Sequence, residues 1–252
     1  MKALVVCKHE KNDNDDEVHK ILESSGIEMA YAWKDALTKK EYDSIDFVIS
    51  IGGDGTALSA SHFLVDKPLL AVNSNPEKSV GALTTITLKE LAVKLDEIKA
   101  GNFKTENLER MQIMINGNIS DFLALNDVFI ASEKAYNISK YKIRFKGVEE
   151  MQRSSGLIFS TGTGSTAWFK SAGGIPFSPQ LKFIKMIIRE PYCGKVACSL
   201  RLQGIEIKEN EEIEVIPLVK SVLAIDSIRE YTLNPNDIVK IKISNSPLRR
   251  IL

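Results

Sequence analysis

Three short polar segments carry residue types that can do chemistry. The first is Gly52-Gly53-Asp54-Gly55-Thr56, directly after the apolar run Phe47 to Ile51. Glycines at Gly52, Gly53 and Gly55 allow positive φ and a close approach of backbone to a ligand. A helix starting just beyond them presents free N–H groups to an anion such as phosphate. The loop is neither a Walker A sequence, which needs Lys-Ser/Thr, nor a GxGxxG turn. Asp54 stands between glycines, where a carboxylate would repel a phosphate, so its presence needs a reason. It could take a proton from an attacking hydroxyl, or help to hold Mg²⁺ beside phosphates. The plain structural alternative is a helix cap or Asx turn that only shapes the loop.

The second segment is Ser160-Thr-Gly-Thr-Gly-Ser-Thr166, with five hydroxyls and two glycines. Hydroxyls and exposed amides bind ribose or phosphate oxygens without net charge. Trp168 follows and could stack on a base or serve as core. A flexible linker is disfavoured, because the apolar runs Gly156 to Phe159 and Trp168-Phe169 anchor the segment on both sides. The third segment is Asn126-Asp127, a polar pair interrupting the apolar stretch Leu123 to Ile130. Buried there, the pair must find partners or a ligand. A turn or bulge is the simpler reading.

The elements that position these segments follow from hydrophobic periodicity. Ala3 to Cys7, Ile27 to Ala32, Phe47 to Ile51 and Leu69 to Val72 read as strands, the apolar ones buried on both faces. Between them lie helices, one opening on the acidic residues Asp13 to Asp16 and closed by Gly26, another over Thr56 to Val65. Leu88 to Ala100 is an amphipathic helix closed by Gly101. Strands alternating with helices imply a parallel α/β sheet covered on both faces. After about residue 103 the pattern changes to period two. Arg110 to Asn116 and Ile119 to Leu123 flank a Gly117-Asn118 turn. Further strands fall at Tyr141 to Phe145, Glu212 to Pro217, Ser221 to Asp226 and Ile238 to Ile243. One helix remains, near Thr163 to Ala172. The expected division is 1–103, parallel α/β with the glycine loop, and 104–252, β-rich, with the last residues free to return to the first part.

Composition narrows the function classes. In 252 residues, 33 Lys and Arg balance 33 Asp and Glu, so net charge is zero. That argues against nucleic-acid binding by bulk positive charge. The three cysteines Cys7, Cys193 and Cys198 form no CxxC, and their odd number suggests thiols in a reducing compartment rather than a disulfide framework. The three histidines are scattered, which disfavours a His-built metal centre. The N-terminal apolar run is too short for a signal peptide or a membrane span, so a soluble, cytoplasmic protein with no membrane partner is expected.

Taken together, the segments resemble the NAD kinase family. IGGDGT (Ile51 to Thr56), LNDV (Leu125 to Val128) and STGTGSTAW (Ser160 to Trp168) stand in the family's order and approximate spacing. A fourth match runs from Val222 to Ser244. The details look closest to the mitochondrial-type branch: VNSNPEKSVGAL (Val72 to Leu83), SSGL (Ser154 to Leu157), IREP (Ile188 to Pro191), Gly162 where most members have Pro, and Trp168 where most have Tyr. The resemblance implies a Rossmann-like N-terminal domain and a β-sandwich-like C-terminal domain, as in the NAD kinase and diacylglycerol kinase folds, with the active site between them. It implies ATP and NAD as substrates, Mg²⁺ or another divalent cation as cofactor, and a homodimer or homotetramer. By resemblance Asp54 activates the adenosine ribose 2′-hydroxyl, and Gly52, Gly53, Gly55 and Thr56 receive the phosphates of ATP. Asn73, Asn126, Asp127, Thr163, Thr166, Ala167, Trp168, Ser171 and Asp226 match positions around the dinucleotide. Ser155 stands where most members have an Asp that contacts the nicotinamide side, which leaves NAD or NADH open. Ser227 replaces the usual Gly after Asp226. The donor, ATP or polyphosphate, is likewise open. A lipid-type kinase would share the two-domain plan, and a non-catalytic dinucleotide sensor would share the binding residues.

Overall fold

Apolar five- and six-residue runs with no polar side to offer water must be covered on both faces, and the first part of the chain is built around three of them. The computed structural model describes residues 1–8, 15–193 and 200–252. Within these, contacts divide the chain into two units, Met1–Leu108 with Pro247–Leu252, and Glu109–Ser246.

The first unit holds one seven-stranded sheet. Its order runs Glu28–Trp33, Lys2–Cys7, Phe47–Gly52, Leu69–Asn73, Leu248–Ile251, Thr105–Leu108, with Ile86–Thr87 beside Leu69–Asn73. Phe47–Gly52 and Leu69–Asn73 are buried at every position. Period two sends Val5, Ile49 and Val72 to one face, where they pack with Val18 and Leu22 of helix Asp15–Ser24 and with Leu91, Leu95 and Ile98 of helix Leu91–Lys99. Helix Asp54–Ser61 packs against the sheet and buries Ala57, Leu58 and Ala60. All strand pairs are parallel except Leu248–Ile251 with Thr105–Leu108. The second strand in sequence pairs to one side of Lys2–Cys7 and the third to the other. This reversal is the switch point at which open α/β sheets bind ligands, at the carboxyl ends of the strands.

The second unit is two six-stranded antiparallel sheets. One has the order Val148–Ser154, Ser139–Phe145, Glu212–Pro217, Val239–Ile243, Met111–Ile115, Asn118–Ile119. The other has Glu206–Lys208, Phe183–Arg189, Gly156–Ser160, Asp127–Ser132, Ser221–Ile225, Arg229–Leu233. Ile113, Tyr141, Ile143, Val215 and Ile241 from the first sheet share a core with Val128, Ile130, Leu157, Phe159 and Leu223 from the second. Gly156–Ser160 is buried on both faces, because Ile158 turns outward into a smaller cluster with Phe169 and Ile187.

Several local expectations need correction. The helix after the glycine loop begins at Asp54, not Thr56, and ends at Ser61. The first hairpin turns at Asn116-Gly117, both at positive φ, rather than at Gly117-Asn118. Two left-handed residues match the right-handed twist of flanking strands, which is why this pair wins. Asn126 and Asp127 do not interrupt a strand; the strand starts at Asp127. Asp13, in the expected helix start, lies outside the described residues. Cys193 is disulfide-bonded, against the reading of all cysteines as thiols, and its partner lies outside the described residues. An odd cysteine count argues against a full framework but not against one pair.

Candidate functional site

In the first unit the glycines work by space, not by left-handed φ. None of Gly52, Gly53 and Gly55 has positive φ, contrary to expectation. A Cβ on Gly52 would stand 2.3 Å from Thr56 Oγ1, and one on Gly53 would stand 2.7 Å from Ser79 Oγ. Gly55 faces open space and is exposed. Gly53 caps the helix: its carbonyl accepts the N–H of Thr56 and Ala57 at 3.0 and 3.2 Å. The amides of Asp54 and Gly55, at the first turn, have no partner within the helix. Thr56 is buried and its hydroxyl turns back toward Gly52.

Asp54 is half-buried on that first turn. Its Oδ2 accepts the N–H of Ala82 at 3.0 Å and its Oδ1 that of Leu83 at 2.7 Å. It therefore ties the helix start to a loop thirty residues on, a role neither a helix cap nor an Asx turn describes. One amide per oxygen leaves lone pairs on both oxygens for a proton or a cation. Asn73 ends the neighbouring strand, buried, with Oδ1 accepting the N–H of Asn75 at 3.1 Å. The N–H of Ser74 reaches the carbonyl of Gly52 at 2.8 Å, so the carboxyl ends of the two central strands are stitched together.

In the second unit a single carboxylate organises the polar pair. Asp226 is buried and accepts three backbone N–H groups, from Leu125 at 2.8 Å, Asn126 at 2.7 Å and Asp127 at 2.9 Å. Its own N–H returns to the Asp127 carbonyl at 2.9 Å. Asp226 and Ser227 both have positive φ, 52° and 55°, at a tight turn. Burial, and then the negative charge of Asp226, pushes the Asp127 carboxyl up to about 7. Arg110 is fully buried nearby, donating Nε to the Ser246 carbonyl at 2.8 Å. Burial pulls its guanidinium down to about 10, and Asp226 works against that fall.

The hydroxyl segment leans on the same turn. The N–H of Thr161 donates to the Asn126 carbonyl at 3.1 Å, Thr161 Oγ1 donates to the Leu125 carbonyl, and Ser160 Oγ to that of Asn126 at 3.3 Å. A Cβ on Gly164 would fall 2.1 Å from the Asn126 carbonyl oxygen, and one on Gly162 2.3 Å from that of Ser178. These two glycines are required by close packing of backbone on backbone. Ser165 is buried, its Oγ donating to Gly162 and Phe177 carbonyls at 2.7 and 2.9 Å. Three buried side-chain atoms in this region have no hydrogen-bond partner: Asn126 Oδ1, Asp127 Oδ1 and Thr163 Oγ1. Native interiors leave few such atoms, so each needs a partner, from water or from a ligand.

Thr166 and Ala167 follow, both exposed, and Ser171 is exposed with Oγ donating to the Ala167 carbonyl at 3.3 Å. The Trp168 ring lies 4.7 Å from that of Phe129, and the Arg189 guanidinium stands 5.7 Å from both. Trp168 thus joins the outer cluster of the second sheet. Ser160 pairs with Asp127, whereas Ser155 precedes the other end of the same strand, about 16 Å away at about 3.3 Å per residue. Its N–H donates to the Arg189 carbonyl at 3.0 Å.

Residues that sequence reasoning passed over are Thr161, Arg110, Glu106 and Arg250. Nothing local marks the last three: Arg110 and Arg250 donate to backbone carbonyls distant in sequence, and Glu106 meets the Arg250 side chain. Thr161 lies inside the hydroxyl segment, buried like Ser160 and Ser165, and no local signal separates these from the exposed Thr166.

Comparison with known proteins adds to this geometry. Residues 3–103 match the ATP-NAD kinase N-terminal domain, and residues 88–252 match the ATP-NAD kinase C-terminal domain. An NAD kinase of Thermococcus sibiricus is 33% identical over 219 residues, covering 86% of this chain and 75% of its own. An NAD kinase of Methanosarcina mazei is 30% identical over 213 residues, covering 82% and 70%. A probable NADH kinase of Oryza sativa is 30% identical over 218 residues, covering 78% and 66%. Among solved structures, an NAD kinase from Archaeoglobus fulgidus in complex with ATP superposes with a TM-score of 0.80 at 25% identity, over 99% of this chain and 93% of that one. Yeast NADH kinase complexed with NADH gives 0.84 at 16% identity, over 100% and 83%, a likeness of fold.

Proposed function

The chain belongs to the ATP-NAD kinase family and is a phosphotransferase, and on that premise we propose that it phosphorylates the adenosine ribose 2′-hydroxyl of NAD with ATP, giving NADP. The observation that carries this reading is the Asp54 carboxylate. It is held by two amides, keeps lone pairs on both oxygens, and sits at the carboxyl end of a central parallel strand. Phosphoryl transfer needs positioning and charge neutralisation more than covalent help from the protein. Asp54 accepts the proton of the 2′-hydroxyl as the oxygen–phosphorus bond forms and the bond from the γ-phosphorus to ADP breaks. General bases contribute roughly 10²- to 10⁴-fold. The phosphates lie over the glycine turn, on the first-turn amides of the helix. Gly55, exposed and unobstructed, gives them room.

The dinucleotide is read by the second unit. Asn126 Oδ1, Asp127 Oδ1 and Thr163 Oγ1 gain the partners they lack when hydroxyl and amide groups of NAD arrive. Asp226 holds Asn126 and Asp127 in register rather than touching the ligand. Among the described residues, no group of three or more His, Cys, Asp or Glu could hold a metal ion. Mg²⁺ carried by phosphates needs only one or two protein carboxylates, and Asp54 has the free lone pairs to be one. Such a cation supplies the positive charge that a chain of zero net charge does not provide in bulk.

The test is NADP formation from ATP and NAD, with NADH and polyphosphate run in parallel, for the wild type and Asp54→Ala. Expected is turnover by the wild type and none by the variant, with an unchanged circular dichroism spectrum. Normal turnover by folded Asp54→Ala sinks the assignment.

A further inference from the structure

The loop that grips Asp54 is itself gripped from the other side. The N–H groups of Ala82 and Leu83 go to Asp54. The carbonyls of the same two residues accept from one guanidinium nitrogen, Arg250 Nη1, at 3.0 and 3.1 Å. The opposite edge of that guanidinium meets Glu106 Oε1, with Nε at 2.8 Å and Nη2 also donating. Glu106 is the register partner of Arg250 across the antiparallel pair Thr105–Leu108 and Leu248–Ile251. Side-chain exposure is only 15% for Arg250 and 22% for Glu106.

Each part of this chain of contacts has one orientation. A planar guanidinium with Nε and Nη2 spent on a carboxylate keeps a fixed direction for Nη1. The peptide unit that joins Ala82 to Leu83 accepts from Arg250 through its C=O and donates to Asp54 through its N–H, so its polarisation strengthens both bonds. Gly81, at φ +72°, enters the loop where a Cβ would stand 2.8 Å from Thr84 Oγ1 and 2.9 Å from Asn73 Nδ2.

We propose that Arg250 is a positioning residue for phosphoryl transfer: acting through the peptide groups of Ala82 and Leu83, it sets the orientation of the Asp54 carboxylate, and Glu106 aims it. This rests on the reading of Asp54 as the base. No residue that Arg250 contacts is assigned to ATP or NAD, so its loss acts on the rate and not on binding.

The test uses Arg250→Ala, Arg250→Lys and Glu106→Gln in the full chain, with kcat and KM for both substrates and a melting curve for each variant. Arg250→Ala is expected to lose about tenfold to a hundredfold in kcat, the scale set by small misplacements of a reacting group. KM for ATP and NAD stays within about threefold, the signature of an interaction realised only in the transition state. Arg250→Lys recovers part of the loss, and Glu106→Gln loses less than Arg250→Ala in the same direction. If Arg250→Ala does not fold, Glu106→Gln decides. Wild-type kcat in a folded variant, or a rise in KM with kcat kept, overturns the role of Arg250 alone. A wild type that makes no NADP overturns both this and the function it rests on.

Discussion

Replacing Asp226 strips acceptors from one buried turn, and the size of the effect follows from the three contacts. Asn at 226 keeps an oxygen for the N–H groups of Asn126 and Asp127, which share Oδ1. It sets an NH₂ against the N–H of Leu125, which now meets Oδ2 at 2.8 Å. One bond to a charged acceptor is lost and one buried donor is left unpaired, at about 2–3 kcal/mol. The backbone adds nothing, because Asn tolerates the left-handed region as well as Asp does. Ala loses all three bonds, strains at φ 52°, and takes away the charge opposite the buried Arg110. Its cost is about 5 kcal/mol or more, comparable with the whole stability of a marginal domain. Urea unfolding at neutral pH, followed by tryptophan fluorescence, gives both differences. Calorimetry with NAD on Asp226→Asn should show weakened binding, because Asn126 and Asp127 lose their register. An Asp226→Asn protein within about 0.5 kcal/mol of wild type, less than one ordinary hydrogen bond, would refute the argument that this carboxylate holds the turn.

Two further outcomes separate folding from function. Gly55→Ala meets no atom within 4 Å and improves helix propensity by up to about 1 kcal/mol, so the melting temperature holds or rises. KM for ATP should nevertheless climb about tenfold if phosphates approach there, and an unchanged KM removes Gly55 from the phosphate site. Asp127→Asn tests the raised carboxyl. Its folded value of about 7 lies above the usual 3.8, so the protonated form favours the fold. That contribution is whole below pH about 4 and is lost as pH rises through about 7. Asn imitates the neutral acid, so it should match wild type near pH 4 and exceed it by up to about 4 kcal/mol near pH 8. A stability difference independent of pH contradicts the assignment.

The residues that bear chemistry were legible because local contrast marks them. Asp54 sits among glycines after an apolar run, Asn126-Asp127 is a polar pair in apolar sequence, and five hydroxyls crowd Ser160 to Thr166. The parallel strands were legible for the same reason, as short runs without a polar face. What holds these residues was not. Asp226 reaches back to Leu125, Arg250 to Ala82, and Gly164 packs on Asn126, and no local pattern encodes a contact across so much chain. Leu248–Ile251 is four residues with two arginines in its middle, unlike the apolar strands beside it. Ser155 joins the site by motif, and register sets it beyond the end of its strand opposite Ser160.

The place of Leu248–Ile251 has a consequence for assembly in time. Arg250 pairs with Leu69, and the strand fills the position between Leu69–Asn73 and Thr105–Leu108. During synthesis, Thr105–Leu108 waits without the strand that joins it to the rest of the first unit's sheet until the whole of Glu109–Ser246 has been made and the following strand leaves the ribosome. The second unit, contiguous in sequence, is free to fold first. A chain truncated before residue 248 should therefore show the β-rich unit protected from protease and the glycine-loop unit still open.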